Sequence, residues 1–189
     1  MTILERERDK YIRMWTVPSY RTVSPGEDSV RIFLDNCAWQ SGELLVDLGC
    51  GTGRAGAVLA RFGLRVKLLD FCASGLEVDL PFIEANLWDL PPSLMPFDWV
   101  YCVDVLEHIP REYIGTTLDG IARIMCKGGY LQIACFEDSC GKLIGEKLHL
   151  TIQTPDWWRT QVAYRCAVLQ DLSDCNYARF VVQPLRGPR

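Results

Sequence analysis

The chain of 189 residues holds two histidines, His108 and His149, and no Cys-x-x-Cys pair among its nine cysteines. A closed zinc site takes four nitrogen or sulfur ligands at short spacings, so a structural zinc is disfavoured. The cysteine number is odd and several cysteines sit inside apolar runs, which argues against a disulfide scaffold. Reduced, mostly buried thiols are expected, as in a cytoplasmic protein. No apolar run approaches the roughly 18 residues that a membrane span requires, and the highly charged start Met1–Arg13 does not read as a signal peptide. Basic charge is short as well. Lys and Arg number 20 against 24 Asp and Glu, for a formal net charge of -4. The basic end Arg186–Arg189 is too small to serve as an electrostatic footprint, so nucleic acid is not an expected partner. Repeats and low-complexity tracts are also lacking, which leaves one domain with ample length for a sizeable core.

What is present is an alternation of strand and helix. A charged helix is expected over 3–15, stopped by Pro18, followed by a turn-rich connector over 20–26. Ser24 and Glu27 stand at capping-box spacing for a helix over 26–38. Strands are expected near 44–48, 65–70, 81–85, 98–103 and 129–136, with helices near 53–62 and 111–125 and a short one after Asp70. The runs Leu44–Leu48 and Trp99–Val103 are apolar on both faces, as in a parallel sheet covered by helices on each side. Thr154 is a candidate N-cap for a short helix carrying Trp157 and Trp158. Strands near 162–169 and 177–183 flank a hairpin-like turn over 171–176, so the chain is expected to end in an antiparallel addition.

The most informative stretch is Leu44-Leu-Val-Asp-Leu-Gly-Cys-Gly-Thr-Gly53. A buried strand delivers its C-terminal end onto a turn with glycine at alternate positions, where backbone can lie against a ligand. Asp47 inside the apolar run needs either the loop amides or a ligand as its partner. Gly51-Thr-Gly53-Arg-Ala-Gly56 also matches the dinucleotide pattern, with Asp70 placed 19 residues beyond Gly51 as a ribose acid. On glycines alone, NAD and other adenosine ligands remain open.

The surrounding residues carry a resemblance. Val46-Asp-Leu-Gly-Cys-Gly-Thr-Gly53 resembles the first motif of class I S-adenosylmethionine-dependent methyltransferases. Val66-Lys-Leu-Leu-Asp70 resembles the strand ending in the ribose acid, and Phe82–Pro91 the adenine-binding segment, with Asn86 where the family usually has Asp. Phe97–Pro110 is similar to the fourth-strand motif, and Cys126–Ile133 to the following turn and strand. The five motifs cover roughly residues 44–136 in order.

The resemblance implies a Rossmann-like three-layer α/β/α sandwich. Its seven-stranded sheet would be mostly parallel with the last strand antiparallel. Residues 1–40 would form an N-terminal helical lid or cap, and 41–189 the methyltransferase domain. It implies S-adenosyl-L-methionine as cofactor, leaving S-adenosyl-L-homocysteine as product. Gly49, Cys50, Gly51 and Gly53 would border the methionine moiety, with Asp47 near its amino group or the loop amides. Asp70 would hold the ribose, and Phe71, Asn86 and Leu87 would flank the adenine. Cys102 and Val103 would present backbone beside the methionine part, and Arg21 would pair with its carboxylate, with Tyr11 and Tyr20 in the lid.

For the chemistry, Asp104, His108 and His149 are the catalytic candidates. Glu107 and His108 have the alternative of capping the next helix and orienting the loop, and His149 that of tying down its own loop. Asp104-x-x-Glu-His108 is similar to a metal-linked Glu-x-x-Glu-His cluster of quinone-biosynthesis O-methyltransferases, so metal dependence stays open. One of Trp157 and Trp158 is expected in the core, the other at the substrate cleft. The chain lacks the Asp/Asn-Pro-Pro-Tyr/Phe sequence of amino-methylating nucleic-acid enzymes, and also the Pro-Cys of cytosine C5 enzymes. A small-molecule acceptor with an O or N nucleophile is therefore expected, acted on by a monomer or weak homodimer. The alternatives are a non-methylating enzyme using S-adenosylmethionine or NAD on the same fold, and a binding module that serves as a partner platform.

Overall fold

The computed structural model describes residues 1–185; Arg186–Arg189, the short basic end, lie outside them. Strands β1 (Leu44–Leu48), β2 (Arg65–Asp70), β3 (Phe82–Glu84), β4 (Phe97–Val103), β5 (Met125–Ala134), β6 (Cys166–Asp171) and β7 (Tyr177–Pro184) form one seven-stranded sheet. Their order is β3-β2-β1-β4-β5-β7-β6. Pairings from β3 to β5 are parallel, and β7 is antiparallel to both β5 and β6. This is the expected mostly parallel sheet with an antiparallel last strand. The α-helices are α1 (Ile3–Met14), α2 (Pro18–Arg21), α3 (Pro25–Asn36), α4 (Arg54–Arg61), α5 (Ile114–Ile124) and α6 (Pro155–Ala163), with short 3₁₀ turns between them.

Successive side chains of a strand point to opposite faces, so each central strand feeds two cores. Val46, Leu48, Val100, Cys102, Leu131 and Ile133 pack beneath Leu118 and Ile121 of α5 and Trp158 of α6. Leu45, Leu68, Trp99, Tyr101 and Tyr130 pack beneath Phe33 of α3 and Leu59 of α4. A third, smaller cluster joins Tyr11 and Met14 of α1 to Leu148 and lies over the carboxyl ends of the strands. β1 has β2 on one side and β4 on the other, so the connections leave it in opposite directions and open a crevice at its carboxyl end.

Several local expectations are corrected. No helix follows Asp70: residues 71–81 run as turns. Their apolar residues Leu76, Val78 and Leu80 alternate at a period of two, and Gly75 lies against Trp15 so closely that a Cβ there would meet the indole at 2.7 Å. The capping box at α3 does not form. Ser24 occupies the N-cap but its side chain makes no cap bond, because Glu27 is drawn to Arg54 at 3.2 Å. A capping box does form at α1, between Thr2 and Glu5. The strand expected from 162 begins at Cys166, since α6, capped by the Thr154 side chain, runs to Ala163. None of the nine cysteines is paired; Cys37, Cys50, Cys72, Cys102 and Cys166 are buried. Among the described residues no helix is long and apolar enough to cross a membrane.

Candidate active site

A cavity of about 360 Å³ fills the crevice at the carboxyl ends of β1, β2 and β4, within the usual range of about 300–1,000 Å³ for ligand pockets. Its floor is the turn after β1. Gly49, Gly51 and Gly53 all have positive φ (65°, 53° and 77°), a region that L side chains adopt only with strain. At Gly49 the reason is also steric, because a Cβ would lie 2.5 Å from the Val105 side chain.

The turn is held by acceptors on β2. The Gly49 and Cys50 amides donate to the Leu69 carbonyl at 2.8 and 3.1 Å. The Gly51 amide donates to Asp70 Oδ2 at 3.0 Å, while Asp70 Oδ1 accepts from the Phe71 amide at 2.7 Å. Asp70, not Asp47, is therefore the acid that organises the loop. Asp47 is 4 % exposed, and its Oδ2 has no hydrogen-bond partner. Burial pushes Asp47 up to about 7 and Asp70 up to about 6; the Gly56 amide pulls Asp47 back, and the Gly51 amide does the same for Asp70. Two desolvated carboxylates facing one cavity are suited to a ligand bearing positive charge or hydroxyl donors.

The roof is α1. Glu7, Tyr11 and Trp15, spaced four apart, line the cavity together, since residues at i and i+4 share a helix face. Lys10 ion-pairs with Glu7 beneath the roof and donates to the Lys147 carbonyl at 2.9 Å. Arg8 to Glu84 and Arg13 to Glu146, both at 2.5 Å, tie the helix down on its two sides. Trp15 covers the glycine turn, 3.0 Å from where a Gly51 Cβ would stand.

The expected site residues separate into two groups. Asp47, Gly49, Cys50, Gly51, Asp70, Phe71, Asn86, Leu87, Val103, Asp104, His108 and His149 all line the cavity. Gly53, Cys102 and Arg21 do not. Gly53 faces Val78 and Leu68 in the packing under α4, and Cys102 is wholly buried in the core. Arg21 is spent on Glu77 at 3.0 Å and on the carbonyls of Trp15, Ser74 and Gly75 at 3.2, 3.3 and 3.1 Å, which turns it outward. Asn86 Oδ1 already accepts from the Trp88 amide at 3.3 Å. Burial pushes the Cys50 thiol far up, so it stays protonated and is no nucleophile. Trp158 is in the core as expected, but Trp157 stacks under Arg111, 5.5 Å from its ring centre, rather than lining the cavity.

The three polar candidates stand on the far wall. Asp104 has φ 54°, the one non-glycine among the described residues in that region, and burial pushes it up to about 6. His108 Nδ1 lies 2.6 Å from the Tyr11 hydroxyl and 3.1 Å from the Leu148 carbonyl. Burial, with His149 beside it, holds His108 down to about 3, so its imidazole is neutral and a weak proton acceptor at pH 7. His149 Nδ1 lies 2.7 Å from the Phe136 carbonyl. A carbonyl only accepts, so Nδ1 carries the proton and Nε2 is the acceptor. Glu107 does not cap the next helix. Its Oε1 accepts from the Ala134 amide at 3.2 Å, and its carbonyl accepts from Leu150 and Thr151 at 2.8 and 2.9 Å, fastening the loop to β5. Burial, then Asp104, pushes its carboxyl well up.

Donor atoms of Glu107, His108 and His149 lie within 4.8 Å of one another. Asp104, whose Oδ1 accepts from Gln132 Nε2 at 3.0 Å, is not among them, and the third donor comes from a separate segment. Sequence reasoning also missed Glu7, Phe136 and Tyr177 as lining residues. For Glu7 the signal was available in its helical spacing to Tyr11 and Trp15.

Comparison with known proteins agrees with this geometry. Residues 46–133 match a family model described as a methyltransferase domain. A ubiquinone biosynthesis O-methyltransferase of Xylella fastidiosa is 32% identical over 108 residues, covering 50% of this chain and 42% of that protein. The chain spans about half the length of the curated relatives it matches. Among solved structures, magnesium protoporphyrin IX methyltransferase from Synechocystis, crystallised with S-adenosylhomocysteine, aligns at a TM-score of 0.64 and 20% identity, covering 93% of each chain. The N-methyltransferase NodS of Bradyrhizobium japonicum, also with S-adenosylhomocysteine, aligns at 0.60 and 16% identity, covering 95% of this chain and 96% of its own. With the five motifs, the sheet order and the matched segment in agreement, the chain carries a class I S-adenosylmethionine-dependent methyltransferase domain.

Proposed function

We propose that the protein transfers a methyl group from S-adenosyl-L-methionine to an oxygen or nitrogen of a small-molecule acceptor. The observation that carries this is one continuous cavity, with the glycine turn and Asp70 at one end and Asp104 and His149 at the other. S-adenosylmethionine, when bound, supplies an electrophilic methyl group on positively charged sulfur. The residues fit such a ligand, because the Gly49–Gly51 backbone and the Asp47 and Asp70 carboxyl groups line the space it needs. Gly49, Cys50 and Gly51 would border the methionine part, Asp70 would hold the ribose, and Phe71, Asn86 and Leu87 would flank the adenine. Asp47, which lines the cavity, would place negative charge near the cationic end. Val103 presents backbone beside the reacting centre, and Asp104 or His149 Nε2 takes the acceptor's proton where one must leave. The roof formed by α1 and α2 excludes water, whereas α3, in the expected cap of residues 1–40, packs on the sheet instead. Glu107, His108 and His149 are the residues that would hold a divalent ion if the enzyme uses one.

The protein would act as a monomer or weak homodimer, and its unpaired cysteines suit the cytoplasm. Parallel calorimetric titrations with S-adenosylmethionine, S-adenosylhomocysteine and NAD test the assignment. Micromolar binding of both sulfur compounds, lost in Asp70→Ala, is expected. Binding of NAD alone would refute it, and binding without turnover over a broad acceptor screen would favour a partner platform.

A further inference from the structure

The far wall of the cavity is built around a carboxylate that the fold holds at some cost. Asp104 has the left-handed φ of 54°, and such strain persists only where surrounding structure enforces it. Here the enforcing structure is a buried polar network centred on Gln132, which is 3% exposed. Gln132 Oε1 accepts from Ser29 Oγ of α3 at 3.0 Å, from the Tyr130 hydroxyl at 3.0 Å and from Arg179 Nε of β7 at 2.9 Å. With its oxygen thus committed, the amide has one outlet: Nε2 donates to Asp104 Oδ1, and the Asp104 amide donates to the Gln132 carbonyl at 2.9 Å. Three elements are therefore spent on aiming one side chain. Oδ2 of Asp104 receives no hydrogen bond from any described residue and is not sealed in the interior, and Asp104 lines the cavity.

Around it stand aromatic walls. Phe136 meets Tyr177 edge to face at 5.3 Å and His149 at 5.9 Å, and all three line the cavity. Cationic side chains are missing from this wall. Five carboxylates (Glu7, Asp47, Asp70, Asp104 and Asp138) line the cavity, and no lysine or arginine does among the described residues. Arg179 is bound to Asp174 at 2.5 Å and lies 4.4 Å over the Tyr177 ring, outside the lining. Lys147 is paired with Glu137 at 3.5 Å. An acceptor carrying a carboxylate, phosphate or sulfate would face carboxylates with no cation to meet it. An ammonium group would meet a fixed carboxylate and ring faces, the two features that recognise such a cation.

We propose that the acceptor is an amine, held as its ammonium ion by Asp104 between Phe136, Tyr177 and His149. This rests on the methyltransferase reading above. In the transfer, the ammonium passes one proton to the Asp104 carboxylate. The freed nitrogen lone pair bonds to the methyl carbon while the carbon–sulfur bond breaks with its electron pair staying on sulfur. The product leaves as a methylated ammonium, and Asp104 returns its proton to solvent.

The test uses the full chain saturated with S-adenosylhomocysteine and titrated with benzylamine, benzyl alcohol and benzoate. Benzylamine is expected to bind about tenfold or more tightly than the alcohol, the difference of one charge-assisted hydrogen bond, and benzoate is expected not to bind. Asp104→Asn keeps the size and tolerates the same backbone. It should remove the amine preference while leaving S-adenosylhomocysteine affinity within about threefold, under 1 kcal/mol. Phe136→Ala, at a residue 40% exposed, gives a second variant that weakens the amine without touching the network. Equal or tighter binding of the alcohol or benzoate overturns the proposal, as does an amine preference that survives in Asp104→Asn, or no binding by any probe. If S-adenosylhomocysteine fails to bind, the parent reading falls separately, and the same three titrations into the ligand-free protein still decide for or against the amine.

Discussion

Asp47→Asn gives the most direct check on the electrostatics of the cavity. The native carboxyl is 4 % exposed with Oδ2 unpartnered, and burial raises it from 3.8 to about 7. A folded-state value raised above the unfolded one favours folding of the protonated form. The contribution is fully present below about pH 4 and is lost as pH rises through about 7. A shift of about three units corresponds to about 4 kcal/mol as an upper bound once the group is ionised. The asparagine amide forgoes that penalty but remains a buried polar group, at about 1–3 kcal/mol. The net expectation for the ligand-free protein is therefore a gain of about 1–3 kcal/mol at pH 8 and little gain or a small loss at pH 5. At this chain length the gain should appear as about 2–4 °C in Tm per kcal/mol. Thermal melts of wild type and variant from pH 5 to pH 8 would read this. Asp70 and Asp104 are also raised, each to about 6, and push in the same direction in both proteins, and the difference between the melts reads Asp47 together with its repulsion from Asp70. The variant should also bind S-adenosylhomocysteine more weakly. A variant that is destabilised equally at both ends of the range would refute the reasoning, because it would mean that the Asp47 carboxylate is already well solvated or paired.

Three further outcomes are expected. Gly49→Ala places a Cβ 2.5 Å from Val105 Cγ2 in a residue with φ 65°, and should cost about 1–3 kcal/mol in urea unfolding; adding Val105→Ala should recover the steric part but not the backbone strain. Tyr11→Phe removes the hydroxyl 2.6 Å from His108 Nδ1 at about 0.5–1.5 kcal/mol. It leaves the Leu148 carbonyl as the one remaining hydrogen-bond contact of Nδ1, so nitrogen NMR should show the His108 tautomer shifted toward Nδ1–H. Trp158→Ala empties a wholly buried site between α6 and the sheet and should lower stability by about 3–5 kcal/mol. A loss below about 1 kcal/mol would mean that α6 is not docked on this core.

How much of this was legible in sequence follows from how local each feature is. The sheet centre was legible because Leu44–Leu48 and Trp99–Val103 must be covered on both faces, and a glycine turn after the first of them leaves few architectures. The cavity floor was legible for the same reason: Asp47, Gly49, Gly51 and Asp70 act within one strand–turn–strand unit. The segment after Asp70 was misjudged because its conformation answers to Trp15, which presses on Gly75 from another part of the chain. The placement of Arg21 is not legible locally, because four acceptors near residues 15 and 74–77 hold its guanidinium.

The far wall shows the limit most clearly. Asp104 could be named from sequence as a polar residue following a buried strand, yet an aspartate carries no sign that its backbone will be left-handed. That conformation depends on Gln132, and the commitment of Gln132 depends on Ser29, Tyr130 and Arg179, donors from a helix and two strands. No local pattern links those positions. Sequence can therefore place a charge at the mouth of a strand, but the direction in which the charge points is a tertiary property. In this fold the direction matters more for function, because a carboxylate turned into the network would be one more satisfied core group. Turned into a cavity without lysine or arginine, it sets which acceptors can enter.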